Sequence, residues 1–292
     1  MLTEQPNPKT EHFDQLSTME ILQVINDEDQ KVALVVREAL PQLAQAVEAI
    51  TEAFLNGGKL IYVGAGTSGR LGVLDAVECI PTYSTYPGQV QGVLAGGNAA
   101  MMQSIEGAED RPEGGANDLR ALDLKAVDVV VGIAASGTTP YVIGALEYAN
   151  EIGATTAAIS CNVPAPILDV AQIKIALPVG PEVVTGSTRM KAGTAQKMAL
   201  NMLSTAAMVR SGKVYGNLMV DVQVVNNKLV KRARRIVREM TGVDEAAADE
   251  LLMRAGNNVK TAIVMQQRGV DLDTARELLK AAKGHLRKVI DG

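Results

Sequence analysis

The sequence predicts an α/β protein: a parallel five-stranded sheet flanked by helices in three layers, followed by a small helical subdomain. Three observations carry this reading. Between residues 57 and 186, short apolar runs of strand length alternate with helical stretches. Two of those runs lead straight into turns rich in glycine and hydroxyl groups, "GAGTSG" and "ASGTTP". The 292 residues include no Trp and only two Phe, so Ala, Val, Leu, Ile and Met must build the core, which suits helices packed closely on a buried parallel sheet.

Residues 1–56 read as an arm with a short helix, then a long helix. Apolar residues at Val32, Val35, Val36, Ala39, Leu43, Ala46, Val47, Ile50 and Phe54 recur in steps of three and four, and "NGG" stops the pattern. Pro41 kinks or divides this helix. The alternation then begins with "KLIYVGAG" as a buried strand and "SGRLGVLDAVECI" as its helix. "QVQGVLAGG" is the second strand, "AAMMQSIEGAED" a helix and "AVDVVVGIAAS" the third strand. "TTPYVIGALEYANEIG" is a helix ending at Gly153, with "ATTAAISC" and "QIKIALPVG" as strands four and five. Right-handed crossovers gather the loops after such strands at one sheet edge, where α/β proteins bind ligands.

After Gly186 the character changes to all-helical. "STRMKAGTAQKMALNMLSTAAMVRSGK" is a long helix with Ser187 or Thr188 as its N-cap. "NKLVKRARRIVREM" sets six basic residues around an apolar stripe of Leu229, Ala233, Ile236, Val237 and Met240. The remainder reads as three short helices parted at "GNN" and "RGVD". The expected organisation is therefore 1–56, 57–225 and 226–292.

Composition excludes several classes. A net charge of −5 argues against general nucleic-acid affinity. No apolar run approaches the roughly 20 residues of a membrane helix, and the polar N-terminus has no leader-like apolar region, so a cytoplasmic protein is expected. Cys79 and Cys161 stand far apart, and His12 and His285 lie near opposite ends, so no metal site is expected.

The first turn contains a complete G-x-G-x-x-G at Gly64, Gly66 and Gly69. A dinucleotide site also needs an acidic residue about 20 positions on, and "TYPGQVQGVLAGG" offers none. The lysine of a P-loop is missing too. A strand-to-helix turn without a ligand remains the plain alternative. Against it stands the second turn, Ser136, Gly137, Thr138 and Thr139, which resembles the first with its Thr67 and Ser68. Hydroxyls at helix N-termini suit a phosphate monoester, and two such turns from parallel strands can hold one small phosphorylated molecule. Glu78 in "DAVEC" and Glu109 in "EGAED" are candidate general acid and base, if the fold brings them to the ligand; most helix-end glutamates are merely solvated. The basic helix from Lys228 is most simply a solvated face, or else presents a cation to an anionic ligand.

"GAGTSGRLGVLDAVECIPTY", "VVVGIAASGTTPYV" and above all "GPEVVTGSTRMKAGTAQKMALNMLSTAAMV" resemble the sugar isomerase (SIS) domain family. Within it they resemble the etherases that cleave a lactyl ether from a cell-wall phosphosugar; the last signature is shared with the glucokinase regulatory protein of animals. The resemblance covers nearly the whole chain, loosely over the last 50 residues. It implies phosphosugar binding by Thr67 and Ser68 and by Ser136, Gly137, Thr138 and Thr139. It implies Glu78 and Glu109 as the catalytic carboxylates, Lys228 as a further acid or base supplied by one subunit or its neighbour, no cofactor, and a homodimer. The rival readings are a phosphosugar-sensing regulator, which would not need both glutamates, and an aldose–ketose isomerase, which needs no acid at a C3 ether. A DNA-binding repressor would carry an N-terminal helix-turn-helix, which this sequence does not present.

Overall fold

β1 (Leu60–Gly64) and β3 (Val129–Ala134) are buried at every residue, the state of strands covered on both faces. With β2 (Val90–Leu94), β4 (Thr155–Ser160) and β5 (Ile173–Ala176) they form one parallel sheet in the order β2-β1-β3-β4-β5. Each strand lies inside the stretch that its apolar run predicts. Buried Asp128 sets the entry edge: its two carboxylate oxygens accept the N–H groups of Lys59 and Lys125 at 2.9 and 2.8 Å. β1 and β3 therefore start level, with Leu60 opposite Val129.

The computed structural model describes residues 1–292. Its helices are α1 (Thr18–Asp29), α2 (Val32–Glu38), α3 (Leu40–Leu55), α4 (Gly66–Tyr83), α5 (Pro112–Ala121), α6 (Pro140–Ile152) and α7 (Pro166–Val170). α8 (Lys191–Arg210), α9 (Asn227–Thr241), α10 (Glu245–Arg254), α11 (Val259–Arg268), α12 (Leu272–Ala281) and α13 (Leu286–Ile290) follow. The chain divides into two units, Met1–Val77 with Gln89–Ser204, and Glu78–Gly88 with Thr205–Gly292.

In the first unit, the helix predicted over 31–56 is divided as Pro41 requires: α2 ends, Ala39 intervenes, and Pro41 sits in the opening turn of α3, where a missing N–H costs nothing. The N-terminal arm forms three 3₁₀ turns before α1, which Ser17 and Glu20 close with a capping box. It is pinned to the loops after β4 and β5. Thr3 donates its N–H to Asn162 Oδ1 at 3.3 Å and accepts the N–H of Gly186 at 3.2 Å, and Asn7 Nδ2 donates to the Pro181 carbonyl at 3.2 Å.

α8 starts later than the sequence suggests. Ser187 and Thr188 lie in the preceding turn, and the cap is the buried carboxylate of Glu182, which accepts the N–H groups of Lys191 and Ala192 at 3.0 and 2.9 Å. A charged acceptor fixed by the preceding loop displaces a local hydroxyl cap.

α5 and α6 meet backbone to backbone through glycine. A Cβ on Gly115 would lie 2.1 Å from the Tyr141 carbonyl oxygen, and one on Gly144 would lie 2.1 Å from that of Pro112. Neither neighbour is a flexible side-chain end. Gly144→Ala is expected to destabilise the protein by about 1–3 kcal/mol, read as a lower urea midpoint at unchanged slope.

The second unit packs α9 to α13 around their own core, in which Leu229, Ala233, Ile236 and Val237 of the predicted stripe are buried and Met240 is partly so. Arg234 of the basic helix pairs with Glu245 and Asp249 of α10. Four helices follow α9, where three are expected from the sequence. Gly284, at φ +79°, turns the chain after α12 and lets α13 form separately.

Candidate functional site

The strand order reverses direction between β1 and β3, and the turns after these two strands flank that switch point, where open α/β sheets bind ligands. Both hydroxyl-rich turns are therefore where the sequence places them.

The glycines of the first turn answer to local packing. Gly66 holds φ +52° at the start of α4, and a Cβ on Gly69 would lie 2.5 Å from the carbonyl oxygen of Gly64. Close approach of helix to strand thus accounts for the spacing without a nucleotide. Thr67 is half-buried, whereas Ser68 is buried and donates its hydroxyl to Gln196 Oε1 at 2.9 Å.

In the second turn, Gly137 holds φ +76°, and a Cβ there would come within 2.4 Å of Ala165 Cβ and 2.5 Å of Ser160 Oγ. Ser136 Oγ accepts the N–H and the hydroxyl of Thr138, each at 3.2 Å, which leaves the Ser136 proton to donate elsewhere. Thr139 is the N-cap of α6, but its side chain makes no capping bond.

Glu109 is not at a helix end, as the sequence reading had it. Residues 97–101 make a single 3₁₀ turn and 102–111 run on as turns, because Gly96, Gly97 and Gly107 hold φ of +86°, +68° and +68°. Its carbonyl accepts the N–H of Tyr141, in the first turn of α6, at 3.0 Å, so the loop is tied to the helix that the second turn opens. The Glu109 side chain is exposed and lines a cavity of about 360 Å³ with Gly66, Arg70, Ser104 and Glu106. That volume suits a single sugar. One of the two predicted carboxylates therefore shares a cavity with the glycine turn.

Glu78 and Lys228 belong to the second unit, and both are exposed. Glu78 lies near the end of α4, and Lys228 is the second residue of α9. Within that unit, the Gln223 N–H donates to the Pro81 carbonyl at 3.2 Å, and the Ser84 hydroxyl donates to the Asp221 carbonyl. The stretch ahead of Lys228 is thereby bound to the end of the helix that carries Glu78. Lys228 shares an open groove of about 560 Å³ with Lys231, Arg232 and Arg235.

Two residues of the first unit escape sequence reasoning. Arg70, one turn into α4, faces the cavity of Glu109. Gln196, fully buried on α8, receives the Ser68 hydroxyl while its own Nε2 has no partner. Arg70 directly follows the first turn and Gln196 lies in the stretch that opens α8, but neither residue type carries a chemical signature there, and only the fold brings Gln196 to the first turn.

Comparison with known proteins places the chain among related sequences and folds. Residues 42–150 match the N-terminal SIS domain of glucokinase regulatory protein, 112–206 the SIS domain, and 216–261 the C-terminal lid domain of glucokinase regulatory protein. N-acetylmuramic acid 6-phosphate etherase of Vibrio vulnificus (strain YJ016) is 57% identical over 291 residues, covering 100% of this chain and 97% of that protein. The protein of the same name in Photorhabdus laumondii is 55% identical over 290 residues, covering 99% and 96%. Among solved structures, a phosphoheptose isomerase from Francisella tularensis superposes with a TM-score of 0.51 at 16% identity, over 66% of this chain and 98% of that one. An E. coli CFT073 protein, solved as a complex, superposes with a TM-score of 0.50 at 15% identity, over 69% and 97%. These two share the fold.

Proposed function

The chain belongs to the N-acetylmuramic acid 6-phosphate etherase family, and on that premise we propose how its residues carry the reaction. The enzyme cleaves the D-lactyl ether of N-acetylmuramic acid 6-phosphate to N-acetylglucosamine 6-phosphate and D-lactate, a step in the recycling of cell-wall sugars. The observation that carries this is identity of 55–57% along essentially the full length of the etherases.

In the ring-opened substrate, the C1 aldehyde acidifies the C2 hydrogen, which a base removes. The C3–O bond then breaks, and the ether oxygen takes a proton as D-lactate departs, because its free alkoxide leaves poorly. Water adds at C3 of the resulting unsaturated aldehyde and a proton returns to C2, so acid and base exchange duties. Each stage includes a proton transfer to or from a positioned group, help typically worth about 10²–10⁴-fold. Glu78 acts at the lactyl oxygen and at the incoming water. Glu109 is the second essential carboxylate; its place in the cavity beside Gly66 supports that role. Lys228 is a further acid or base, in its own or the neighbouring subunit.

The hydroxyls of Ser136, Thr138 and Thr139, together with Thr67 and Ser68, hold the phosphate. Gly137→Ala tests the second turn: a Cβ there is both strained and crowded, so KM for the substrate is expected to rise at least about tenfold, a loss of 1.4 kcal/mol or more of binding. The enzyme works as a cytoplasmic homodimer, and Leu74 and Val77, exposed on α4, support a pairing surface. The sequence boundaries give 57–225 to the phosphosugar domain and 226–292 to the helical one, whereas the compact units change over earlier, between Ser204 and Thr205, and Glu78–Gly88 goes with the helical unit.

The direct experiment is D-lactate release from N-acetylmuramic acid 6-phosphate by the purified protein, without added metal or nucleotide. Release is expected. Saturable binding of the sugar phosphate with no release would replace the enzyme by a phosphosugar sensor.

A further inference from the structure

We propose that Arg70 recognises the carboxylate of the lactyl group and is the residue by which this site tells its ether substrate from the sugar phosphate it releases. The inference rests on the etherase reading above. The substrate carries two anions, the phosphate at C6 and the lactyl carboxylate attached through C3. The hydroxyl turn after β3 suits the first and offers no cation for the second. The cavity beside the first turn does: Arg70 is the one cation among its lining residues, and it stands among carboxylates, Glu106 and Glu109. Without it, a substrate carboxylate entering this cavity would meet only like charge.

The local geometry prepares Arg70 for this work. It follows Gly66 by four residues, so the two lie on one face of α4. Its Nε donates to the Ala100 carbonyl at 2.9 Å and its Nη2 to the Gln103 carbonyl at 3.3 Å. Both partners are neutral, so they fix the guanidinium plane without neutralising it. The remaining N–H donors of the fork, those of Nη1 among them, are used by no hydrogen bond within the chain, and Arg70 lines the cavity. A planar, pre-oriented guanidinium matches a carboxylate with two parallel hydrogen bonds, which a lysine cannot reproduce. The leaving group is then held by its far end while its ether oxygen takes a proton.

The test compares ligands with and without the lactyl group. Arg70→Met keeps an unbranched stem and removes the charge with the guanidinium; Arg70→Lys keeps the charge and removes the fork. Both variants are assayed for KM with N-acetylmuramic acid 6-phosphate and for competitive inhibition by N-acetylglucosamine 6-phosphate. A charge-assisted hydrogen bond predicts that Arg70→Met raises KM roughly 10–100-fold, with Arg70→Lys between it and the wild type. The inhibition constant of the product is expected to stay within about twofold, because the product has no carboxylate. An equal rise in both constants would reduce Arg70 to a tie for the 97–103 loop, and no rise in either would overturn the contact. A substrate analogue with the lactyl carboxylate converted to its amide completes the cycle: it should bind less well to the wild type and no less well to Arg70→Met. If the wild type releases no D-lactate, the reading of the reaction fails on its own. Calorimetry with the same two sugar phosphates then decides the Arg70 assignment, by selective loss of the lactyl compound alone or its absence.

Discussion

Glu78→Ala is expected to lower D-lactate release by about 10²–10⁴-fold, the usual worth of a general acid, while binding of N-acetylglucosamine 6-phosphate changes by less than about threefold. The side chain is exposed on α4, so its removal opens no cavity and leaves no buried partner. A loss of turnover without a fall in melting temperature therefore reports chemistry, not folding. The role assigned to Glu78 makes a sharper demand. An acid is needed at C3 only because the lactyl oxygen leaves poorly without a proton. A substrate analogue carrying a halide at C3 departs without one, so Glu78→Ala should recover most of the wild-type elimination rate on it. Glu109→Gln, which alters the carboxylate lining the cavity with Gly66, should be impaired on the natural substrate as well. Turnover by Glu78→Ala near that of the wild type would remove Glu78 from the reaction altogether.

How much of this was legible in the sequence depends on the range of the forces involved. The strands were legible because uninterrupted apolar runs such as "LIYVG" and "VVVGIA" can only be buried on both faces. The stripe of α9 was legible because burial follows its helical period. One missing acid at the end of β2 is what sets the glycine turn apart from a dinucleotide fingerprint in the sequence. What escaped depends on distant partners or on backbone sign. "AAMMQSIEGAED" has helical composition, yet left-handed Gly96 and Gly97 just ahead of it and Gly107 near its end unwind it and turn Glu109 into a loop residue. Ser187 and Thr188 looked like caps, but Glu182 reaches the helix from the preceding loop. Arg70 reads as one more surface cation until the fold sets it against the 97–109 loop.

Glu28→Gln is expected to destabilise the protein by about 3–5 kcal/mol, the cost of leaving a buried charge without its partner. Glu28 on α1 and Lys191 at the start of α8 are both buried, 3% and 2% exposed, and pair at 2.6 Å. Lys31 also bonds Glu28, and Lys9 lies 3.4 Å from it, but both lysines keep substantial contact with water. Lys191 does not, so it bears the loss. If that is the mechanism, Glu28→Gln combined with Lys191→Met should be more stable than Glu28→Gln alone, because the orphaned charge is gone. The pH dependence gives a second check. Burial pushes the Glu28 carboxyl up, but hydrogen bonds from Lys191 and Lys31 and their charges outweigh it and hold it down, from 4.5 to about 2. The folded state thus holds its proton less tightly than the unfolded chain. The contribution, on the order of 3 kcal/mol, is fully present above the ordinary glutamate value and is lost as pH falls from about 4.5 towards 2. Urea unfolding at pH 6, 4 and 3 should show the wild type losing stability faster than Glu28→Gln across that window. Parallel losses in the two proteins would show that the pair does not couple the arm's helix to α8 in this way.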